Sequence, residues 1–232
     1  VKCGPNLIAP TSTIKGLKAL NPTVFGLCNN HSLDQDEQGL LSTLQILDEN
    51  GIDYTGVGKN LSEASKPYIY EKDGVKVGIY SCAEHEFTLA TEKRWGANPF
   101  DPFESLDHIT ELKKKCDYVI VVYHGGKEHY RYPSPYLKKA MNKIIDKGAD
   151  LVMCQHTHCI SCIEEYNGGT ILYGQGNFLF DLCDEEVWQT GLIVKVTIDN
   201  GMKVEYFTIS KDGEKVRKPS AEEEKEIMEG FY

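Results

Sequence analysis

No apolar run in the 232 residues approaches the roughly 18–20 that a membrane-spanning helix needs. No charged-then-apolar leader stands at the start, although the chain opens on Val1 rather than Met, which leaves room for an upstream leader, anchor or further region. There is no Walker-type phosphate loop, no G-x-G-x-x-G and no G-x-S-x-G elbow. Nucleotide-dependent and serine-hydrolase chemistry therefore lose their usual support. Basic residues are outnumbered, 25 Lys and Arg against 35 Asp and Glu, for a net charge of −10. Nucleic acid needs a basic footprint, so it is not expected as a partner. The short basic runs Lys113–Lys115 and Lys138–Lys139 fall in expected helices and read as solvated faces. Acid is also missing from one stretch: no Asp or Glu precedes Asp34.

Cysteine is present, eight in all, but not as a disulfide framework. Cys28, Cys82 and Cys154 sit inside apolar strand runs, where cysteine behaves as a small hydrophobe. Most are expected to be reduced core thiols, which points to a reducing compartment. Cys159-Ile160-Ser161-Cys162 is a C-x2-C, yet the second pair that a zinc ribbon requires is absent.

Strand–loop–helix units come first, then hairpins. Strands are expected at Thr23–Cys28, Asp117–Tyr123 and Leu151–Cys154, and helices at Glu37–Asn50, Phe103–Lys115 and Pro135–Lys147. Asp34 followed by Glu37 resembles a capping box for the first helix. Hairpins are expected across Asp73-Gly74, across Asn167-Gly168-Gly169 and across Asp199-Asn200-Gly201. The pattern describes an α/β fold with mixed sheets, in a single domain over 1–232, with a surface arm at 1–22 and a C-terminal tail at 210–232.

The histidines carry the chemistry. His31, His124, His156 and His158 each follow a short apolar run. If those runs are parallel strands of one sheet, its carboxyl edge collects Asn29, Asn30, His31, His124, His156 and His158, where open α/β sheets bind ligands. Imidazoles and side-chain amides suit a hard or borderline cation. In an extended Gln155-His156-Thr157-His158, residues two apart would face the same side. The glycines of His124-Gly125-Gly126-Lys127-Glu128 let backbone approach a ligand. Glu84, His85 and Glu86 are again polar residues just past a strand.

Four blocks in order resemble the CapA-type family of bacterial capsule and poly-gamma-glutamate synthesis proteins: Asn29-Asn30-His31-Ser32-Leu33-Asp34, His124-Gly125-Gly126-Lys127-Glu128, Gly148-Ala149-Asp150 running into His156-Thr157-His158, and Tyr173-Gly174-Gln175-Gly176-Asn177-Phe178 through Asp181. That family is related to the calcineurin-like metallophosphoesterases. The resemblance implies two facing mixed β-sheets flanked by helices and a site for divalent metal, Mn, Zn or Fe. It implies that Asn30, His124 and His156 hold one metal and His158 the other, with His31 as proton donor to the leaving group. Asn29, Glu84, His85, Glu128 and Asn177 become candidates for binding substrate. The family's first acidic motifs lie upstream of the Asn-Asn-His block, so on this reading the given chain lacks those N-terminal strand motifs. The resemblance implies either a metal-dependent hydrolase acting on a phosphoester or an anionic polymer, or a non-catalytic protein that binds the polymer or an envelope synthase on the same fold.

Overall fold

The computed structural model describes residues 4–84, 87–180, 186–213 and 215–229. The chain divides into two compact units, Val1–His124 and Gly125–Tyr232.

The first unit opens with an arm whose short helical turn, α1 (Ile14–Leu17), buries no side chain. The arm is fixed at Leu7. Its N–H donates to Asp34 Oδ2 (2.6 Å), and its carbonyl accepts from Gln35 Nε2 (3.2 Å). β1 (Val24–Gly26) pairs in parallel with β2 (Asp53–Thr55). Between them α2 (Asp36–Glu49) buries Leu40, Leu44 and Leu47, one face at four-and-three spacing. β3 (Val57–Gly58), α3 (Leu61–Ala64), β4 (Tyr68–Lys72), β5 (Val75–Ala83) and β6 (Gly96–Ala97) follow, then α4 (Glu104–Lys113) and β7 (Tyr118–His124). β4 and β5 form the expected hairpin across Asp73-Gly74, and β5 runs parallel to β7 with Ala83 opposite His124.

Two expectations are corrected here. β1 does not share a sheet with β7, because its three residues pair only with β2. The capping box at Asp34 and Glu37 does not form. The helix starts at Asp36 with no side-chain cap, and the Asp34 carboxylate binds His31 and Leu7.

In the second unit, α5 (Pro135–Asp146) has Pro at its start and is capped by Ser134, whose Oγ accepts the Leu137 N–H (3.1 Å). It buries Leu137, Met141, Ile144 and Ile145, each worth about 1.5–3 kcal/mol of transfer free energy. β8 (Leu151–Gln155), β9 (Ile163–Tyr166) and β10 (Gly169–Leu172) form a mixed set, with β10 parallel to β8 and antiparallel to β9. β11 (Thr190–Ile198), β12 (Met202–Asp212) and β13 (Lys215–Arg217) make an antiparallel sheet.

The stretch expected as a C-terminal tail carries β13 and α6 (Ala221–Glu229). What holds it is a reciprocal cap. The Ser220 N–H donates to Glu223 Oε2 (2.7 Å) and the Glu223 N–H to Ser220 Oγ (3.3 Å). A two-pronged Arg217–Glu223 pair adds to it. No helix among the described residues is long and apolar enough to cross a membrane.

The expected burial of the thiols has a measurable consequence. Cys82 and Cys154 are fully buried, and burial pushes the Cys28 thiol far above its ordinary 9.0. A thiol reagent at about pH 8 is expected to reach half-exposed Cys162 before Cys28, Cys82 or Cys154. Tyr80 and Tyr173 are also raised, chiefly by burial. These groups ionise more readily in the unfolded chain. Their stabilisation is therefore complete below about pH 9 and is lost as pH rises through the folded values. The melting temperature is expected to fall on going from pH 8 to about pH 10; a flat profile would contradict it.

Candidate functional site

In the first unit the loop after β1 is a side-chain-built turn. Asn29 Oδ1 accepts the His31 N–H (2.8 Å), and the Ser32 hydroxyl donates to the Leu27 carbonyl (2.5 Å). The Thr88 hydroxyl donates to the Asn29 carbonyl (3.0 Å). With Asn29 closing the turn, Asn30 and His31 project from it. Asn30 Oδ1 meets His124 Nε2 at 3.0 Å across 94 residues of sequence. An amide oxygen only accepts, so the imidazole N–H donates in this arrangement, and ligation of a metal through Nε2 takes the tautomer with the proton on Nδ1. Glu84 stands at the same edge, its N–H bonded to the His124 carbonyl (2.8 Å). His31 is held separately. Its Nδ1 lies 2.6 Å from Asp34 Oδ2, and the Asp34 side chain is only 2% exposed. Both residues line a cavity of about 480 Å³ with Leu7, Ile14 and Leu17.

In the second unit the histidine pair departs from the extended geometry expected of it. β8 ends at Gln155, and His156 and His158 both adopt positive φ, 103° and 57°. Non-glycine residues held there cost about 1–3 kcal/mol each, and such strain concentrates at functional sites. The turn, not strand alternation, brings the two rings to 6.2 Å. Backbone bonds pin it: Gly125 N–H to Gln155 O (3.0 Å) and His129 N–H to Thr157 O (2.9 Å). Glu128 Oε1 lies 3.6 Å from His156 Nε2.

Asn177, in the loop after β10, fixes His158. Its Nδ2 donates to the Trp188 carbonyl (3.1 Å) and, more weakly, to the His158 carbonyl (3.4 Å). That assigns the amide orientation, so Oδ1 accepts from His158 Nδ1–H (2.9 Å). The neutral ring then keeps its lone pair on Nε2. The ring also stacks on Trp188, 7° from parallel at 4.5 Å, with Phe180 on it at 4.5 Å. His85 lies outside the described residues.

Among the described residues no three of His, Cys, Asp and Glu gather into a group able to hold a metal ion. The donors nevertheless have the chemistry of a borderline divalent ion. In the first unit they are an amide oxygen beside an imidazole nitrogen. In the second they are two imidazoles on strained backbone, one with its tautomer set for Nε2 ligation by a neighbouring amide. The residues fit such an ion as nitrogen and oxygen donors.

Two contributors were not expected at the site. Asp34, read as a helix cap, stands three residues after His31, a spacing that could have flagged an imidazole–carboxylate pair. Trp188 lies 30 residues beyond His158 in the sequence, and no spacing signal links them.

Asn177→Ala is expected to release the His158 tautomer and weaken divalent-metal affinity by about 10–100-fold, as loss of a ligand-orienting group does. Metal titration of a variant with an unchanged unfolding midpoint checks this; unchanged affinity would contradict it.

A family model described as bacterial capsule synthesis protein PGA_cap matches residues 2–182. The PGA biosynthesis protein CapA of Bacillus subtilis is 34% identical over 73% of this chain and 45% of its own. The chain spans about half the length of the curated relatives it matches. Among solved structures, a hypothetical protein from Thermus thermophilus has a TM-score of 0.57 at 13% identity, covering 87% of this chain and 81% of its own. A 5'-nucleotidase precursor from the same organism has a TM-score of 0.50 at 15% identity, covering 94% of this chain and 45% of its own. These likenesses establish the α/β fold with mixed sheets flanked by helices.

Proposed function

Because the chain belongs to the bacterial capsule synthesis protein family PGA_cap, we propose that it acts on an anionic capsule polymer of the poly-gamma-glutamate type, as a metal-dependent hydrolase or transferase. The polymer class follows the printed name of the Bacillus subtilis relative, a PGA biosynthesis protein. The observation that carries the chemistry is the meeting at 3.0 Å of Asn30, in the loop after β1, and His124, the last residue of β7.

Asn30 and His124 are the proposed divalent-metal ligands of the first unit, and His156 and His158 those of the second, for metal of the Mn, Zn or Fe class. Divalent metal held at either place would supply Lewis acidity toward the bond being cut. His31 Nδ1 is committed to Asp34, so a proton delivered by His31 leaves from Nε2. Asn177 and Trp188 hold the His158 ring in one plane and tautomer. Glu84 and Glu128 stand beside His124 and His156 as polar groups for substrate.

The test is turnover of phosphodiesters and of polyglutamate by purified protein, with and without added manganese. Metal-dependent turnover supports the reading; its absence at every metal tried would overturn it. One observation favours a second reading, a non-catalytic protein that binds the polymer or a synthase: a Mycobacterium tuberculosis relative, 30% identical over 72% of this chain, is named a probable polyglutamine synthesis accessory protein. Retention of polymer without turnover would select it.

A further inference from the structure

A cavity of about 420 Å³ opens in the second unit, and no histidine lines it. Its charged lining is Arg131, Lys211 and Arg217 against Glu223 and Glu226, with the buried Ser210 beside them. Most of the lining comes from Gln189 onward, beyond the 2–182 stretch that the family model matches.

The three cations differ in what they already hold. Arg217 grips Glu223 with both prongs, Nη1 at 2.8 Å and Nη2 at 2.6 Å. That guanidinium, with the Ser220 N–H, holds the Glu223 carboxyl down at about 2. Lys211 Nζ donates to the Phe180 carbonyl (3.2 Å). Arg131 differs from both. Among the described residues the guanidinium of Arg131, a half-buried residue, makes no hydrogen bond or ion pair, while the Arg131 carbonyl accepts the Ser161 hydroxyl and so fixes its backbone. A charge drawn partly out of water without a partner is unfavourable, and a guanidinium fork matches a carboxylate in both spacing and plane.

Among the described lining residues three cations stand against two carboxylates, a balance that favours an anionic guest. The volume falls in the range of small-molecule sites. Tyr130 and Tyr132, 50% and 64% exposed, flank Arg131, and Lys127 Nζ lies 5.3 Å from the Tyr130 ring centre. Exposed amphipathic rings next to the cation suit an amide-linked chain that continues past the cavity.

We propose that this cavity is a carboxylate subsite, in which Arg131 receives one glutamyl carboxylate of the anionic polymer. The identity of the polymer rests on the function proposed above, whereas the subsite uses none of the metal-ligating residues.

The test is calorimetric titration of the full chain with a gamma-linked glutamate oligomer, and separately with inorganic phosphate. Arg131→Ala is expected to weaken oligomer binding by about 10–100-fold, the loss of a charge-assisted pair. Arg131→Lys should recover part of it, phosphate should not displace the oligomer, and Lys72→Ala, at an exposed cation of the first unit, should bind as the parent does. Parent-like binding by Arg131→Ala, no binding by the parent, or displacement by phosphate at matching concentration would each overturn the subsite. Oligomer binding through Arg131 without metal-dependent turnover would sink the hydrolase reading and leave the subsite standing. Turnover without oligomer binding would do the reverse.

Discussion

With metal supplied, His31→Ala is expected to lower turnover of an unactivated ester or amide bond by about 10²–10⁴-fold, the range of a general acid, while metal content stays at the parent level. The geometry behind this is local to the loop after β1. Asp34, almost wholly buried, takes the Nδ1 side of the ring at 2.6 Å. The Asn29 turn fixes the backbone from which the ring springs. A proton donor matters most when the leaving group is a poor one. A substrate whose leaving group departs without protonation should therefore lose far less rate in the same variant. Equal losses on both substrates would assign His31 a structural role. Asp34→Asn should reproduce part of the loss, and because Asp34 also anchors Leu7 it should loosen the arm as well.

Leu151→Ala is expected to destabilise the fold by about 2–5 kcal/mol, the cost of truncating a fully buried leucine. Leu151 is 0% exposed, stands opposite Thr170 of β10, and begins the strand that ends in the histidine turn. The turn holds two non-glycine residues at positive φ, and the neighbouring structure must keep that strain in place. Loosening β8 should therefore also lower metal affinity at subdenaturing temperature. Ile193→Ala, at a position 43% exposed, is the control and should change stability by no more than about 0.5 kcal/mol. Urea unfolding of both variants measures the difference; comparable midpoints would contradict the assigned core.

Periodicity made the larger elements legible. The four-and-three spacing of Leu40, Leu44 and Leu47 is the buried face of α2, and Asp73-Gly74 is the β4–β5 turn. Local polar chemistry was harder to read, because one residue type serves several ends. Asp34 has the spacing of a helix cap but binds an imidazole, while Ser220 and Glu223, unremarked in sequence, form the reciprocal cap. The short pairings of β1 with β2 and β3 with β6 rest on two or three residues each, too few to show a period.

In the candidate site, His124 at the end of β7 and the proximity of His156 to His158 were legible. Backbone conformation was not. Alternation placed the paired imidazoles on one side of an extended segment, whereas positive φ at both positions does so through a turn. The Trp188 stack and the role of Asn177 in fixing a tautomer depend on tertiary contacts that no local pattern encodes.

The central claim is that Asn30, His124, His156 and His158 are metal ligands, and the measurement that meets it most directly is metal content after reconstitution with manganese and removal of free ion. The parent is predicted to retain about one ion or more per chain, with His124→Ala and His156→Ala each losing most of it while their unfolding midpoints stay near the parent's. A parent that retains no metal, or variants that retain as much as the parent, would contradict the assignment.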